Sequence, residues 1–260
     1  MRRHLWIALA VLTSVLLTAA PAGAVRYGEP DNGAHPYVGL VVFYDAAGAP
    51  LHRCSGTLLS PTVFLTAGHC TFGTTTAGIY FDEQVVRMEG GYPFTGGITG
   101  TPYTYGGYDD FASFPNTGDV GVVVLDEPVY LDTYGVLADV GTLDAMATQR
   151  GRQSVSFEVV GYGLQEIKPV VLADTNRLRA TTRLVNLRSA LTDGYNIHHT
   201  NAKGTGGGTC FGDSGGPVFL EGTNVIVAVT SFGLNANCVG GGFGYRVDTL
   251  AAQEFIYAFL

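Results

Sequence analysis

Three short segments carry residue types that could do nucleophilic chemistry. The segment Thr205–Pro217 is glycine-rich and places Gly212 two residues before Ser214 and Gly215 directly after it. Such flanks let a backbone approach a substrate carbonyl and turn its N–H groups outward. Two N–H groups aimed at one point stabilise a developing oxyanion. A serine hydroxyl alone is a weak nucleophile: it needs a base to take its proton, and the base needs an acid to hold its tautomer. His69, in Thr66-Ala67-Gly68-His69-Cys70, follows a predicted strand and is the candidate base. Asp119 opens the apolar run Val120–Leu125 and is the candidate acid. Singly, each residue has a plainer reading. Gly-Asp is usually a turn before a strand. A lone histidine packs or faces solvent, and Gly-rich serine segments also occur in turns and anion sites. It is the three together, in this order, that point to acyl-transfer chemistry.

The elements that must position them read as many short strands. Val38–Tyr44, Val63–Ala67, Val120–Leu125 and Val155–Val160 are β-branched or aromatic runs. Val218–Leu220 and Asn224–Val229 flank a Glu221-Gly222-Thr223 turn, a hairpin signal. Strands at this spacing with Gly-rich turns predict an all-β barrel or sandwich. Only the end looks helical, with Asp248 as the expected N-cap and Leu250, Ala251, Phe255, Ala258 and Phe259 at roughly helical spacing. The stretch 89–118, rich in Gly, Tyr, Thr and Pro, is either a long surface loop or a meander of weak strands. Length suggests two lobes divided near 135–150.

Composition narrows the class. The chain has 260 residues, 37 Gly without a fixed period, and 46 % hydrophobic residues, which exclude collagen and disorder. A net charge of −8, with Lys only at 168 and 203, argues against a nucleic-acid binder. Met1-Arg2-Arg3-His4 is a basic start, Leu5–Leu17 an apolar run, and Ala22-Gly23-Ala24 a small-x-small cleavage site. Residues 1–24 therefore read as a secretory signal peptide. The run is shorter than the about 20 residues a membrane span needs. The expected mature chain begins at Val25 and is soluble, secreted and extracellular, in a space that permits disulfides. Its four cysteines allow three pairings.

The chain resembles the chymotrypsin/trypsin-like serine proteases. The family's TAAHC-type segment matches Thr66–Cys70, with Gly68 as a mild departure. Its acid segment matches Asp119–Leu125, and its GDSGGP segment matches Gly212–Pro217 unchanged. Cys54–Leu59, Val160-Gly161-Tyr162-Gly163 and the terminal helix extend the likeness over nearly all of 25–260. The resemblance implies two perpendicular six-stranded antiparallel β-barrels with a C-terminal helix. The N-terminal barrel would span about 25–140 and the C-terminal barrel about 141–260, with the site in the cleft between them.

The roles it implies are as follows. Ser214 attacks, His69 shuttles the proton, and Asp119 orients His69. The N–H groups of Gly212 and Ser214 form the oxyanion hole. Ser231-Phe232-Gly233 pairs with the substrate backbone, and Ser231 bonds Asp119. The specificity pocket has Gly208 at its floor, followed by Thr209, with Gly233 and Gly242 as small wall positions. The absence of an Asp at 208 implies a preference for an apolar or aromatic residue on the acyl side of the scissile bond. The implied disulfides are Cys54–Cys70 and Cys210–Cys238.

Val25-Arg26-Tyr27-Gly28 resembles the family's Ile-Val-Gly-Gly start at its first and fourth places. A Val25 amine would pair with Asp213, so that export itself activates the enzyme. Otherwise Val25 begins a surface tail and Asp213 finds another partner. No metal or cofactor is expected. His35, His52 and His198-His199 lack ligand spacing, and Asp82-Glu83 and Asp109-Asp110 read as solvated acidic loops. Expected partners are protein or peptide substrates and protein inhibitors, with no nucleic acid and, after signal removal, no membrane; the chain would be a monomer. The alternatives are a non-catalytic binding homologue of such proteases, and a narrow-specificity protease or esterase.

Overall fold

In the computed structural model, residues 25–86, 95–146 and 155–260 are described; the proposed leader 1–24 lies outside them, as does part of the open stretch at 89–94. The strands are β1 (Glu29–Pro30), β2 (Val38–Tyr44), β3 (Pro50–Leu58), β4 (Val63–Thr66), β5 (Thr76–Tyr80), β6 (Ile98–Thr104) and β7 (Gly121–Leu125). They continue with β8 (Val136–Leu137), β9 (Ser156–Gly161), β10 (Leu178–Asn186), β11 (Asn196–Asn201), β12 (Pro217–Leu220), β13 (Val225–Gly233) and β14 (Gly240–Arg246). The helices are α1 (Gly68–Thr71), α2 (Thr142–Met146) and α3 (Leu250–Tyr257). None of the described helices is long and apolar enough to cross a membrane.

β2 to β7 close into a six-stranded antiparallel barrel in the order β2-β3-β4-β7-β6-β5. The apolar runs that suggested strands are its inner staves: β4 is buried throughout, and β7 pairs with it at Leu65↔Val122 and Thr66↔Gly121. A second ring of six closes through β9-β10-β11-β14-β13-β12 and back to β9. Closing both sheets removes the open edges that would otherwise invite pairing with other chains. One core cluster joins the first barrel's interior to Val160, Tyr162, Phe219 and Val229 of the second, so the barrels share apolar packing.

Two details differ from expectation. The segment assigned to the first barrel by position alone docks on the second, where β1 pairs with β10 at Glu29↔Arg179. The last helix is capped by Thr249, whose side chain accepts from the Ala252 N–H, and not by Asp248. The Asp248 carboxylate instead accepts from the Arg246 guanidinium at 2.8 and 2.9 Å and from the Leu143 N–H at 2.7 Å. A full cation outbids a helix end for a buried carboxylate.

A buried clamp holds the N-terminal segment and both barrels. Arg177 Nε donates to Asp31 Oδ2 at 2.9 Å, and its Nη1 donates to the carbonyls of Val38 and Phe81 at 3.1 and 3.0 Å. Asp31 also accepts from the His35 N–H at 2.9 Å. Tyr162 donates from its hydroxyl to the Asp82 carbonyl at 2.7 Å.

Candidate active site

Strand register brings base and acid together. Thr66 ends β4 and pairs with Gly121, which opens β7. His69 lies three residues beyond Thr66, in α1, and Asp119 lies two residues before Gly121. Two adjacent strand ends therefore deliver both side chains to one point. The His69 N–H donates to Asp119 Oδ1 at 2.7 Å, and its ring Nδ1 lies 2.8 Å from Asp119 Oδ2. Asp119 is fully buried, and its Oδ2 also accepts from Ser231 Oγ. Burial pulls the His69 imidazolium down, but the Asp119 charge and its hydrogen bonds outweigh burial, and His69 titrates above an ordinary histidine. With Asp119 on the Nδ1 side, Nε2 is the ring nitrogen left for other chemistry. The departure at Gly68 has a steric reason: a Cβ there would sit 3.0 Å from the Val120 nitrogen.

Ser214 comes from the other barrel. Gly215 donates to the Thr230 carbonyl at 2.7 Å and Thr230 donates to the Gly216 carbonyl at 2.8 Å, which sets Ser214 beside Ser231. The N–H groups of Asp213, Gly215 and Gly216 all donate to backbone carbonyls. Those of Gly212 and Ser214 donate to none of the described residues. Gly212 has φ +95°, a conformation that favours glycine. Cys54 is bonded to Cys70, tying β3 to α1, and Cys210 to Cys238.

His69 and Ser214 line one cavity of about 460 Å³. Thr209, Ser231, Phe232, Gly233 and Gly242 line it too. Gly208 does not. It is buried, and a Cβ there would strike Asn201 Oδ1, so Asn201 lines the cavity in its place. Nothing local marks Asn201 in the sequence, because β11 reaches the cavity only by pairing with β14. Among the described residues no Asp, Glu, Lys or Arg side chain lines the cavity. Phe232 stacks on Phe243 at 4.6 Å and meets the ring edges of Phe111 and Phe114.

Asp213 is the second buried acid. Its carboxylate accepts from the Gly163 N–H at 2.8 Å and the Cys210 N–H at 2.9 Å. Burial pushes it up to about 7, against the pull of those N–H groups and of the Arg53 charge. A Cβ at Gly163 would lie 2.5 Å from the Asp213 carboxyl carbon, which explains the glycine there. Val25 is fully buried among second-barrel core residues, not on a surface tail. Arg26 is bridged to Gly208 and places its guanidinium 4.8 Å over the Tyr27 ring, while Tyr27 takes φ +59°, a conformation that favours glycine. Among the described residues, the one group of close metal-ligating atoms is Cys54, His69 and Cys70, and both thiols are spent in the disulfide.

A double barrel with a buried Asp119 holding a half-buried His69, and a serine in the same cleft, defines a class, the chymotrypsin-like serine endopeptidases. The family model named Trypsin matches residues 25–253, and the chain belongs to that family. It is a hydrolase of the serine endopeptidase type acting on protein or peptide substrates. It is 29 % identical to brachyurin of Leptuca pugilator, over 74 % of this chain and 80 % of that one. It is 25 % identical to a collagenase of Hypoderma lineatum, over 88 % and 86 %. The solved structure of HL collagenase superposes with a TM-score of 0.67 at 18 % identity, covering 91 % of this chain and 96 % of that one. Human heparin binding protein gives 0.62 at 19 %, covering 90 % and 94 %.

The geometry makes a direct prediction for His69. Followed by ring-nitrogen NMR, its imidazole titrates above the roughly 6.5 of an ordinary histidine. In Asp119→Asn the opposing charge is gone and burial remains, so the same resonance titrates below that value. An unchanged midpoint would contradict the assignment.

Proposed function

We propose that the chain is a secreted serine endopeptidase that cleaves peptide bonds through an acyl-enzyme on Ser214. One observation carries the reading: the buried Asp119 carboxylate holds His69 through Nδ1 while His69 and Ser214 share a cavity. Ser214 Oγ attacks the carbonyl carbon and its proton passes to His69 Nε2. The new oxyanion is received by the Gly212 and Ser214 N–H groups. The C–N bond then breaks as His69 gives the proton to the leaving amine. Water repeats the sequence on the ester, with His69 again taking and returning a proton. Asp119 keeps hold of Nδ1 and stabilises the imidazolium. Ser231, Phe232 and Gly233 pair with the substrate backbone as an added strand.

The uncharged cavity, walled by Phe232, Leu234 and glycines, favours an apolar or aromatic acyl-side residue. Cleavage after residue 24 would free the Val25 amine to pair with Asp213, with no separate activating cut. The burial of Val25 and the displaced titration of Asp213 support this, since a buried carboxylate without a full counter-charge is costly. The two disulfides fit an extracellular protein.

The direct test is intact mass before and after a phosphonylating reagent. The expected secreted protein matches Val25–Leu260 with two disulfides and gains one adduct that Ser214→Ala abolishes. It also cleaves matched peptides after Phe, Tyr or Leu ahead of Arg or Lys. No adduct, or Arg and Lys peptides cleaved best, would contradict the respective claims.

Asp213 gives a second prediction. In a form extended before Val25, folded Asp213 keeps its proton up to about pH 7. The unfolded chain releases it near about 4. That contribution to stability is therefore full below about pH 4 and lost as pH rises through about 7. In a form beginning at Val25 the amine ionises Asp213 and this loss is absent. Melting temperature against pH for the two forms checks it; identical profiles would exclude the pairing.

A further inference from the structure

Ser55 lies in β3 next to Cys54 and is fully buried. All its polar groups are committed around the candidate nucleophile. Its N–H donates to the Ser214 carbonyl at 2.8 Å. Its hydroxyl donates to the Gly212 carbonyl at 2.9 Å and accepts from the Tyr162 N–H at 2.9 Å. Its carbonyl accepts from Thr66 Oγ1 at 2.9 Å, at the end of the strand that leads to His69. One residue of the first barrel thus grips the carbonyls on both sides of Asp213 in the second.

The direction of an N–H is set by its peptide plane. The Gly212 N–H shares a plane with the Phe211 carbonyl, which the Leu164 N–H holds at 2.7 Å. The Ser214 N–H shares a plane with the Asp213 carbonyl, which the Gly216 N–H holds at 2.8 Å. Between these planes lies Gly212, which has no side chain to resist rotation of the peptide that follows it. That peptide's N–H donates to the Cys210 carbonyl at 3.0 Å, and the Ser55 hydroxyl holds its other end, the Gly212 carbonyl.

We propose that Ser55 is a positioning residue, whose hydroxyl locks the Gly212 carbonyl so that the Gly212 and Ser214 N–H groups converge before substrate arrives. This rests on reading those two groups as the oxyanion donors. Ser55 touches neither substrate nor reacting atoms and acts through the backbone. Donors held in advance need no reorganisation as charge develops, so the benefit falls on the transition state and not on substrate binding.

The test uses the whole secreted chain as Ser55→Ala and Ser55→Gly, with rates expressed per site titrated by the phosphonylating reagent. A partly unfolded preparation then still reports a rate per working site. The expected loss in kcat is about 10- to 100-fold, short of the roughly 10²- to 10³-fold cost of deleting an oxyanion donor itself. KM stays within about twofold, since ground-state binding is untouched. A peptide aldehyde, which captures Ser214 as a tetrahedral adduct, weakens by the same factor as kcat/KM. A role in stability alone would lower the melting temperature and the number of titrated sites, while kcat per site and aldehyde affinity held; that result overturns the proposal. Failure of the underlying reading looks different. A wild-type protein that binds the aldehyde no more tightly than the matching alcohol has no oxyanion site, and both ideas fall.

Discussion

A single buried charge organises the site. Asp119 has no exposed surface, and a carboxylate taken out of water must be met by donors or it will protonate or unfold its surroundings. It is met by the His69 N–H, the His69 ring and the Ser231 hydroxyl. Those donors arrive from α1 and β13, while Asp119 itself leads into β7. The charge therefore requires the first barrel's register and the docking of the second barrel at once. Its effect on chemistry follows from the same contacts. The imidazole is held by Nδ1, its cation is favoured, and Nε2 is left toward the cavity that Ser214 also lines.

Asp213 shows what the same side chain does in different surroundings. It is as deeply buried, but its close donors are two backbone N–H groups, and its titration rises to about 7. Two carboxylates whose environments differ in this way take different tasks. Asp119 is placed to hold and orient a proton acceptor. Asp213 is suited to respond to the arrival of a cation. Ser55 lies between these demands, since its hydroxyl and N–H reach the loop carrying Asp213 and Ser214, and its carbonyl reaches the strand leading to His69.

Much of this was legible in the sequence because the chemistry is local there. Gly212–Pro217 carries its glycines where the backbone must turn, and His69 and Asp119 stand at the ends of apolar runs that could only be strands. What escaped were residues whose meaning depends on distant partners. Asn201 lines the cavity only because β11 pairs with β14, and Gly208 is hidden behind it. Ser55 looks like any small strand residue until the second barrel brings Gly212 and Tyr162 against it. The terminal helix was placed correctly but its cap was not, because Arg246 claims the Asp248 carboxylate and leaves the cap to Thr249. Val25 and its neighbours belong to the second barrel for a similar reason: their hydrogen bonds go to β10 and Gly208, far along the chain.

The most direct measurement is kcat/KM against pH for the wild-type chain and Asp119→Asn on one peptide substrate. A protonated His69 cannot accept the Ser214 proton, so the wild-type rate should fall as pH drops through a value above about 6.5. With the carboxylate neutralised, kcat should fall by about 10⁴-fold. An Asp119→Asn enzyme within about tenfold of wild type, with its acid limb unmoved, would contradict the central place given to that buried charge.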